Sequence, residues 1–480
     1  MTGDASPVRT VLNRATQTFR PAPTPPIRQV LADRRELMST ARQRAQSPLT
    51  TLRHYAVTSP GKLILILIAL GTACLSTGLY ASNTLERRTD TLREMIERTE
   101  PLAEAAQVLY SSLSIADASA NSAFIFGGLE SPELRTRYSD ALATASAALV
   151  IAAGSSQDPN SGETGTAAKE ITNDLNTLAT SIPVYSGLIE TARTNNRLAN
   201  PVGSSYLGQA SALMQDRILP AAQRLYEHRS MAIADPQSAL TVPPWGVYAA
   251  LVIVIVGLLA TARYLTRRTR RRFNIGVLAA LIAVVGGTLW LLASGLLSVA
   301  ATNNARVDGA DPLRELTTAR ILTQQARSAE TLSLVRRSDQ GDLEKTFSDS
   351  TTRIAQMLDD IKKGRSKSSP VTEAQLYNAN FVLNRWKETD AQVRTDLSTG
   401  DFAGARTLTV GDGPNTSAAA YSDLDRALTD SITMTRTSFR DDINTAQRVL
   451  GYTGKGILLL TLFAAAAVVL GLIPRIREYR

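Results

Sequence analysis

The sequence predicts an all-α membrane protein with four transmembrane helices and two tandem extracytoplasmic four-helix bundles. Three observations carry this. Four apolar segments, at 62–81, 245–262, 275–301 and 456–473, each come near the ~20 residues a helix needs to cross hydrocarbon. They are spaced as two near-copies of one unit, a pair of spans around a long polar stretch, and only an arginine-rich loop separates the copies. Both polar stretches are rich in Ala, Leu, Arg, Glu and Gln and lack the alternating β-branched runs of strands.

Taken in order, residues 1–61 are basic and proline-bearing (Pro21 to Pro26) and read as a disordered cytoplasmic region. No cleavable leader is expected, because some sixty polar residues precede an apolar run too long for one. The first span is 62–81. The first bundle, 82–244, opens with a heptad: Leu85, Leu92, Thr99, Ala106, Leu113 and Ala120 sit seven apart, with Met95, Leu102, Leu109, Ala116 and Ala123 at the partner positions. Spans at 245–262 and 275–301 flank the loop 263–274, where Arg263, Arg267, Arg268, Arg270, Arg271 and Arg272 face no acid. The second bundle, 302–455, ends in a stripe from Tyr421 through Leu424, Leu428, Ile432, Thr435, Phe439, Ile443 and Ala446 to Leu450, which runs unbroken toward the span 456–473 and the tail 474–480.

An offset near 211 residues superposes the copies. Glu100-Pro101-Leu102-Ala103-Glu104 answers to Asp311-Pro312-Leu313-Arg314-Glu315, and an acid before proline predicts a helix start. In each copy a turn follows, at 127–131 or 338–341, then a second helix, a linker (154–165 or 364–370), a third helix, a break (200–203 or 398–412) and a fourth helix. Short connections favour an up-down-up-down bundle. Chain direction puts the turns and breaks at the end remote from the membrane and the linkers beside it. Pro183 and Pro220 fall inside helices, where proline kinks the chain.

Charge sets orientation. The chain's net +9 divides as +15 over the termini and the Arg loop and −6 over the two long stretches, which places the basic parts in the cytoplasm of a cell-membrane protein. The Arg loop either fixes topology against lipid phosphate or also seats a cytosolic partner. Nucleic acid is not expected, since the basic charge is juxtamembrane and no aromatic-interleaved basic patch accompanies it. From Leu63 to Ala81, Val247 to Ala262, Ile275 to Ala301 and Ile457 to Ile473 there is no Asp, Glu, Lys, Arg or His, against a transporter or channel. Small residues recur there instead: Ala69, Ala73, Thr77 and Ala81, then Ala279, Ala283 and Gly287, spacings that permit close helix contact. Cys74, the only cysteine, lies in a span, so neither disulfides nor thiolate metal sites are expected outside it. No nucleophile–base constellation or metal-spaced cluster stands out; the chain reads as non-enzymatic and cofactor-free.

Candidate contacts at the outer tips are Phe126, Leu129, Arg336, Arg337, Phe402 and Arg406, apolar groups beside Arg that suit docking. Direct capture of a small anion between helices would instead use Arg193, Arg197, Arg336 or Arg337.

The phrases Ser328-Ala329-Glu330-Thr331-Leu332-Ser333-Leu334 and Gly400-Asp401-Phe402-Ala403-Gly404-Ala405-Arg406 resemble those of the four-helix sensor domains of chemoreceptors and sensor kinases. The whole layout resembles the actinobacterial GlnX family. That resemblance implies an extracytoplasmic amino-acid-binding lipoprotein (GlnH) and a cytosolic Ser/Thr kinase (protein kinase G) as partners, with aspartate, glutamate or glutamine availability as the signal. It leaves homodimerisation open, as well as direct sensing or a role as an accessory transporter subunit.

Overall fold

The computed structural model describes residues 59–126, 130–154, 166–269, 274–336 and 341–477, and every described regular element is helical. The helices are α1 (Ser59–Glu94), α2 (Glu100–Phe126), α3 (Pro132–Ala153), α4 (Thr166–Arg197), α5 (Val202–Leu213), α6 (Leu219–Leu240), α7 (Trp245–Thr269), α8 (Ile275–Asn304), α9 (Asp311–Arg336), α10 (Gly341–Gly364), α11 (Glu373–Thr399), α12 (Phe402–Val410) and α13 (Ser417–Arg477). The region expected to be disordered, apart from its last residues, and most of the linker 154–165 lie outside the described residues.

Four helices, α1, α7, α8 and α13, are long and apolar enough to cross a membrane, which is compatible with a multi-pass membrane protein. They close a ring in which α1 and α8 each pack on α13 and on α7. The seam is narrower than the small-residue spacing predicted. Ala81, Thr77, Ala283 and Gly287 are buried, but Ala69 is exposed, and the tightest contacts fall on glycines that the spacing did not single out. A Cβ at Gly276 would lie 2.4 Å from the Cα of Gly471, and Asn274 Nδ2 donates to the Gly471 carbonyl at 2.9 Å. Only hydrogen at these positions lets the two backbones touch.

Beyond the apolar segments stand two helical groups, each with its own core. Leu109, Leu113, Leu178, Tyr185, Ile189 and Leu225 centre the first; Ile354, Leu383, Trp386, Leu424 and Leu428 centre the second. Both position sets of the heptad are buried nearly throughout, with Thr99 and Leu102 only half-buried, and every residue of the stripe from Tyr421 to Leu450 is buried. The groups pack against each other through α2 and α9. Ile321 of α9 enters the first group's core, and Gln325 Nε2 donates to the Tyr110 hydroxyl at 3.0 Å.

One expectation is corrected. The acid–proline pairs at Glu100-Pro101 and Asp311-Pro312 do not start helices, because the chain arrives already helical. Each is preceded by one turn of π-helix, Met95–Thr99 and Ala305–Ala310, and a third π-turn, Met214–Ile218, precedes Pro220. The cause is steric. A proline ring clashes with the carbonyl four residues back and offers no N–H to it. Those carbonyls belong to Glu97, Asp308 and Asp216, one within each π-turn, and the next free N–H groups (Glu100, Asp311 and Leu219) reach back five residues to Met95, Arg306 and Met214. Widening the turn removes the clash without breaking the rod. Helix therefore runs from Ser59 to Phe126 and from Ile275 to Arg336, and α13 alone spans 61 residues.

Candidate functional site

The ends of the two groups remote from the apolar segments meet around a cleft of about 520 Å3. The first group contributes Phe124 and Ile125 from the end of α2 and Asn196, Ala199, Asn200 and Ser204 from the α4–α5 turn; the second contributes Leu334, Leu397, Phe402 and Arg406. Both inter-helix turns are shaped by left-handed residues, Ala199 at φ 54° and Gly400 at φ 83°. Asp401 then caps α12, accepting from Gly404 N at 2.8 Å, and this aims the short helix with Phe402 and Arg406 at the rim. Phe402 is 46% exposed and Arg406 is exposed.

Of the candidate tip residues, Phe402 and Arg406 thus line the cleft. Leu129 and Arg337 lie outside the described residues. Phe126 and Arg336 end their helices with side chains outside the described ones. In the Arg loop, Arg267 is exposed near the end of α7, the Arg268 side chain lies outside the described ones, and Arg270, Arg271 and Arg272 lie outside the described residues.

Arg193 is no anion receptor. It is buried, bonded to Glu130 at 2.8 Å and Glu190 at 2.6 Å, and stacked 4.2 Å over the Tyr138 ring, so its charge is already matched. Arg197 is exposed.

Below the cleft each group holds a buried carboxylate on its first helix, and sequence reasoning missed both. In the first group Asp117 accepts from Tyr185 (3.3 Å), Asn121 (3.2 Å) and Gln215 (3.2 Å), the last of these carried by the π-turn before Pro220. No cation touches it among the described hydrogen bonds and ion pairs. Burial, only partly offset by those hydrogen bonds, pushes its carboxyl up to about 7. In the second group Glu330 accepts from Arg327 at 2.6 Å, from Trp386 Nε1 at 3.2 Å and from the Ser417 hydroxyl, and Arg327 also donates to the Thr409 carbonyl at 3.0 Å. Nearby, Asp390 pairs with Arg394 at 2.7 Å; burial first, then the charge of Glu330, raises its carboxyl to about 7. Ser417 is the first residue of α13, so the Glu330 cluster grips the top of the helix that continues to Arg477.

The seam between the groups is ionic at its lower end. Arg436 of α13 meets Glu100 and Glu104 (both 2.9 Å) and Gln107 (2.7 Å) of α2, and Arg440 meets Glu100 and Glu104 again. Glu100 is almost wholly buried, so the pairing is a condition of its burial there. Among the described residues no group of three His, Cys, Asp or Glu is placed to hold a metal.

Residues 91–238 match the family model of the actinobacterial sensor domain. These residues run from the end of α1 to the end of α6 and take in the whole described first group. The match supports an actinobacterial sensor protein with a sensing or signalling role. No curated protein matches the chain, and no solved structure does.

Proposed function

We propose that the chain is a non-enzymatic transmembrane relay that reports external amino-acid availability. Its two helical groups stand outside the cell as tandem bundles. A ligand-loaded binding lipoprotein docks on the tip cleft, and the spans carry the change in helix packing to the Arg loop, where a cytosolic Ser/Thr kinase reads it. The resemblance to the GlnX family supplies the partners and the class of signal, and the sensor-domain match supports the general role.

One observation carries the mechanism: the tip and the apolar segments belong to the same unbroken helices. The α1–α2 rod ends at the cleft, and α13 begins beneath it at Ser417. A packed helix moves as a body, so a shift at its top must appear at its foot. Such a relay needs the loaded partner to favour one arrangement over the other. Two of the π-turns lie where each rod passes from its helical group toward the apolar segments.

The test is a pull-down of the binding lipoprotein on membranes carrying Phe402→Glu with Arg406→Glu. Loss of binding and of kinase output together supports the reading; binding unaltered by this reversal removes it.

A further inference from the structure

A second cavity, of about 310 Å3, lies far from the tip, in the seam between the two groups at the level of the π-turns. It is at the small end of ligand pockets, which begin near ~300 Å3. Ile233 of α6, Leu313 of α9 and Phe439 of α13 form its apolar side. Its charged side is informative because the charges nearly cancel. Glu100 and Glu104 are matched by Arg436 and Arg440, and Asp311 lies 3.7 Å from Arg306. That leaves Arg314, an exposed arginine lining the cavity, whose guanidinium makes no hydrogen bond or ion pair among the described residues, although it lies in the field of the Glu315 carboxylate. The charged lining is thus balanced, Glu100, Glu104 and Asp311 against Arg306, Arg314 and Arg436, and among the described residues Arg314 is the arginine whose guanidinium has no direct partner, beside an apolar wall to which Tyr226 adds a phenol.

We propose that this cavity binds one small organic carboxylate with an apolar body, its carboxylate on Arg314 and its body against Leu313, Ile233 and Phe439. A guanidinium fork matches a carboxylate's two oxygens, and the apolar wall beside it favours an organic monoanion over a bare polyanion or a cation. The site draws its walls from both groups and from the π-turn Ala305–Ala310, so an occupant ties α6 of one group to α9 and α13 of the other. It is a second input to the chain, and it requires neither the lipoprotein nor the tip cleft.

The experiment uses the full chain in nanodiscs, with phenylacetate as probe and benzylamine and inorganic phosphate as its cationic and polyanionic counterparts, read by calorimetry and thermal unfolding. Phenylacetate should bind saturably at one site per chain and raise the unfolding midpoint, while benzylamine and phosphate do neither. Arg314→Gln should weaken phenylacetate at least about tenfold, the scale of one lost charge-assisted pair, and Leu313→Trp, which fills the apolar side, should abolish it. The exposed Arg353→Gln should change nothing. Absence of saturation up to about 10 mM, the weak end of measurable affinity, would overturn the proposal. So would unchanged binding in both Arg314→Gln and Leu313→Trp, or equal loss in Arg353→Gln. Lipoprotein pull-down on the same variants separates this failure from failure of the relay, because Arg314 does not line the tip cleft.

Discussion

The two helical groups place the same kind of polar centre at similar depth and solve it differently. In each, a carboxylate on the first helix accepts from an aromatic donor on the third (Tyr185 or Trp386) and from a residue on the chain that descends to the apolar segments (Gln215 or Ser417). The second group adds Arg327, stacked 5.5 Å from the Tyr421 ring, and closes an aromatic cluster around it, with Phe347 and Tyr421 5.3 and 5.8 Å from Trp386. Among the described residues the first group adds no cation at Asp117, and burial raises that carboxyl to about 7. A buried carboxylate with a matched guanidinium is a fixed charge, whereas one held by neutral donors alone can take up a proton instead. The second group is thus built to hold, and the first to yield.

The largest effect should come from breaking the fixed centre. Arg327→Met leaves Glu330 buried without its guanidinium partner, and thermal or denaturant unfolding should show a loss of about 3–5 kcal/mol. Arg327→Met with Glu330→Gln should recover most of it; no recovery would mean that packing rather than charge sets the cost.

Next is the first group's proton. The folded carboxyl of Asp117 is raised from 3.8 to about 7, so its protonated form favours the fold. That contribution is complete below pH 3.8, declines as pH rises and is gone above about 7, a swing of up to about 4 kcal/mol. Asp117→Asn should flatten the unfolding midpoint between pH 5 and 8 relative to wild type and leave the variant the more stable of the two at pH 8. Parallel pH profiles would contradict the neutral-centre reading.

The aromatic donors should differ more modestly. Tyr185→Phe removes one neutral hydrogen bond, about 1 kcal/mol. Trp386→Phe removes a donor shared by both Glu330 oxygens and leaves a void, about 2 kcal/mol. Equal unfolding losses would erase this part of the contrast.

The smallest effect lies at the tip turns. Ala199 holds a left-handed conformation that costs a residue with a Cβ roughly 1 kcal/mol, and Gly400 holds it free of that cost. Ala199→Gly should therefore stabilise by up to about 1 kcal/mol and Gly400→Ala should destabilise by a similar amount, since nothing within 4 Å obstructs a methyl at Gly400.

Much of this architecture is legible in the residues. Apolar length gives the four long helices, and heptad spacing gives the buried faces of α1, α2 and α13. Connections reveal themselves through Gly, Pro and Asn, as at Asn200-Pro201 and Gly400-Asp401. The π-turns are not legible. Glu100-Pro101 reads identically whether a helix begins there or widens to pass the ring, and only the helix already present upstream decides. The buried carboxylates are hidden for another reason. Asp117 and Glu330 sit in Ser- and Ala-rich helix text, where a polar residue inside the bundle looks like one on its surface until the partner helices are in place. Arg193 was legible as a notable arginine, but not its pairing with Glu130, which lies 63 positions away in the chain. The tip cleft was half-legible, because Phe402 and Arg406 flagged the second group's turn while Asn196 and Ala199 gave no chemical signal.

The claim on which the relay stands is that the tip moves the feet of the spans. Cys74, the one native cysteine, is fully buried, so spin labels at Arg267→Cys and Pro474→Cys can report the distance between the ends of α7 and α13 in liposomes. Binding of the loaded lipoprotein should shift that distance distribution in wild-type background and leave it unshifted with Phe402→Glu and Arg406→Glu. A distribution that stays the same while the lipoprotein is demonstrably bound at the tip would contradict the account.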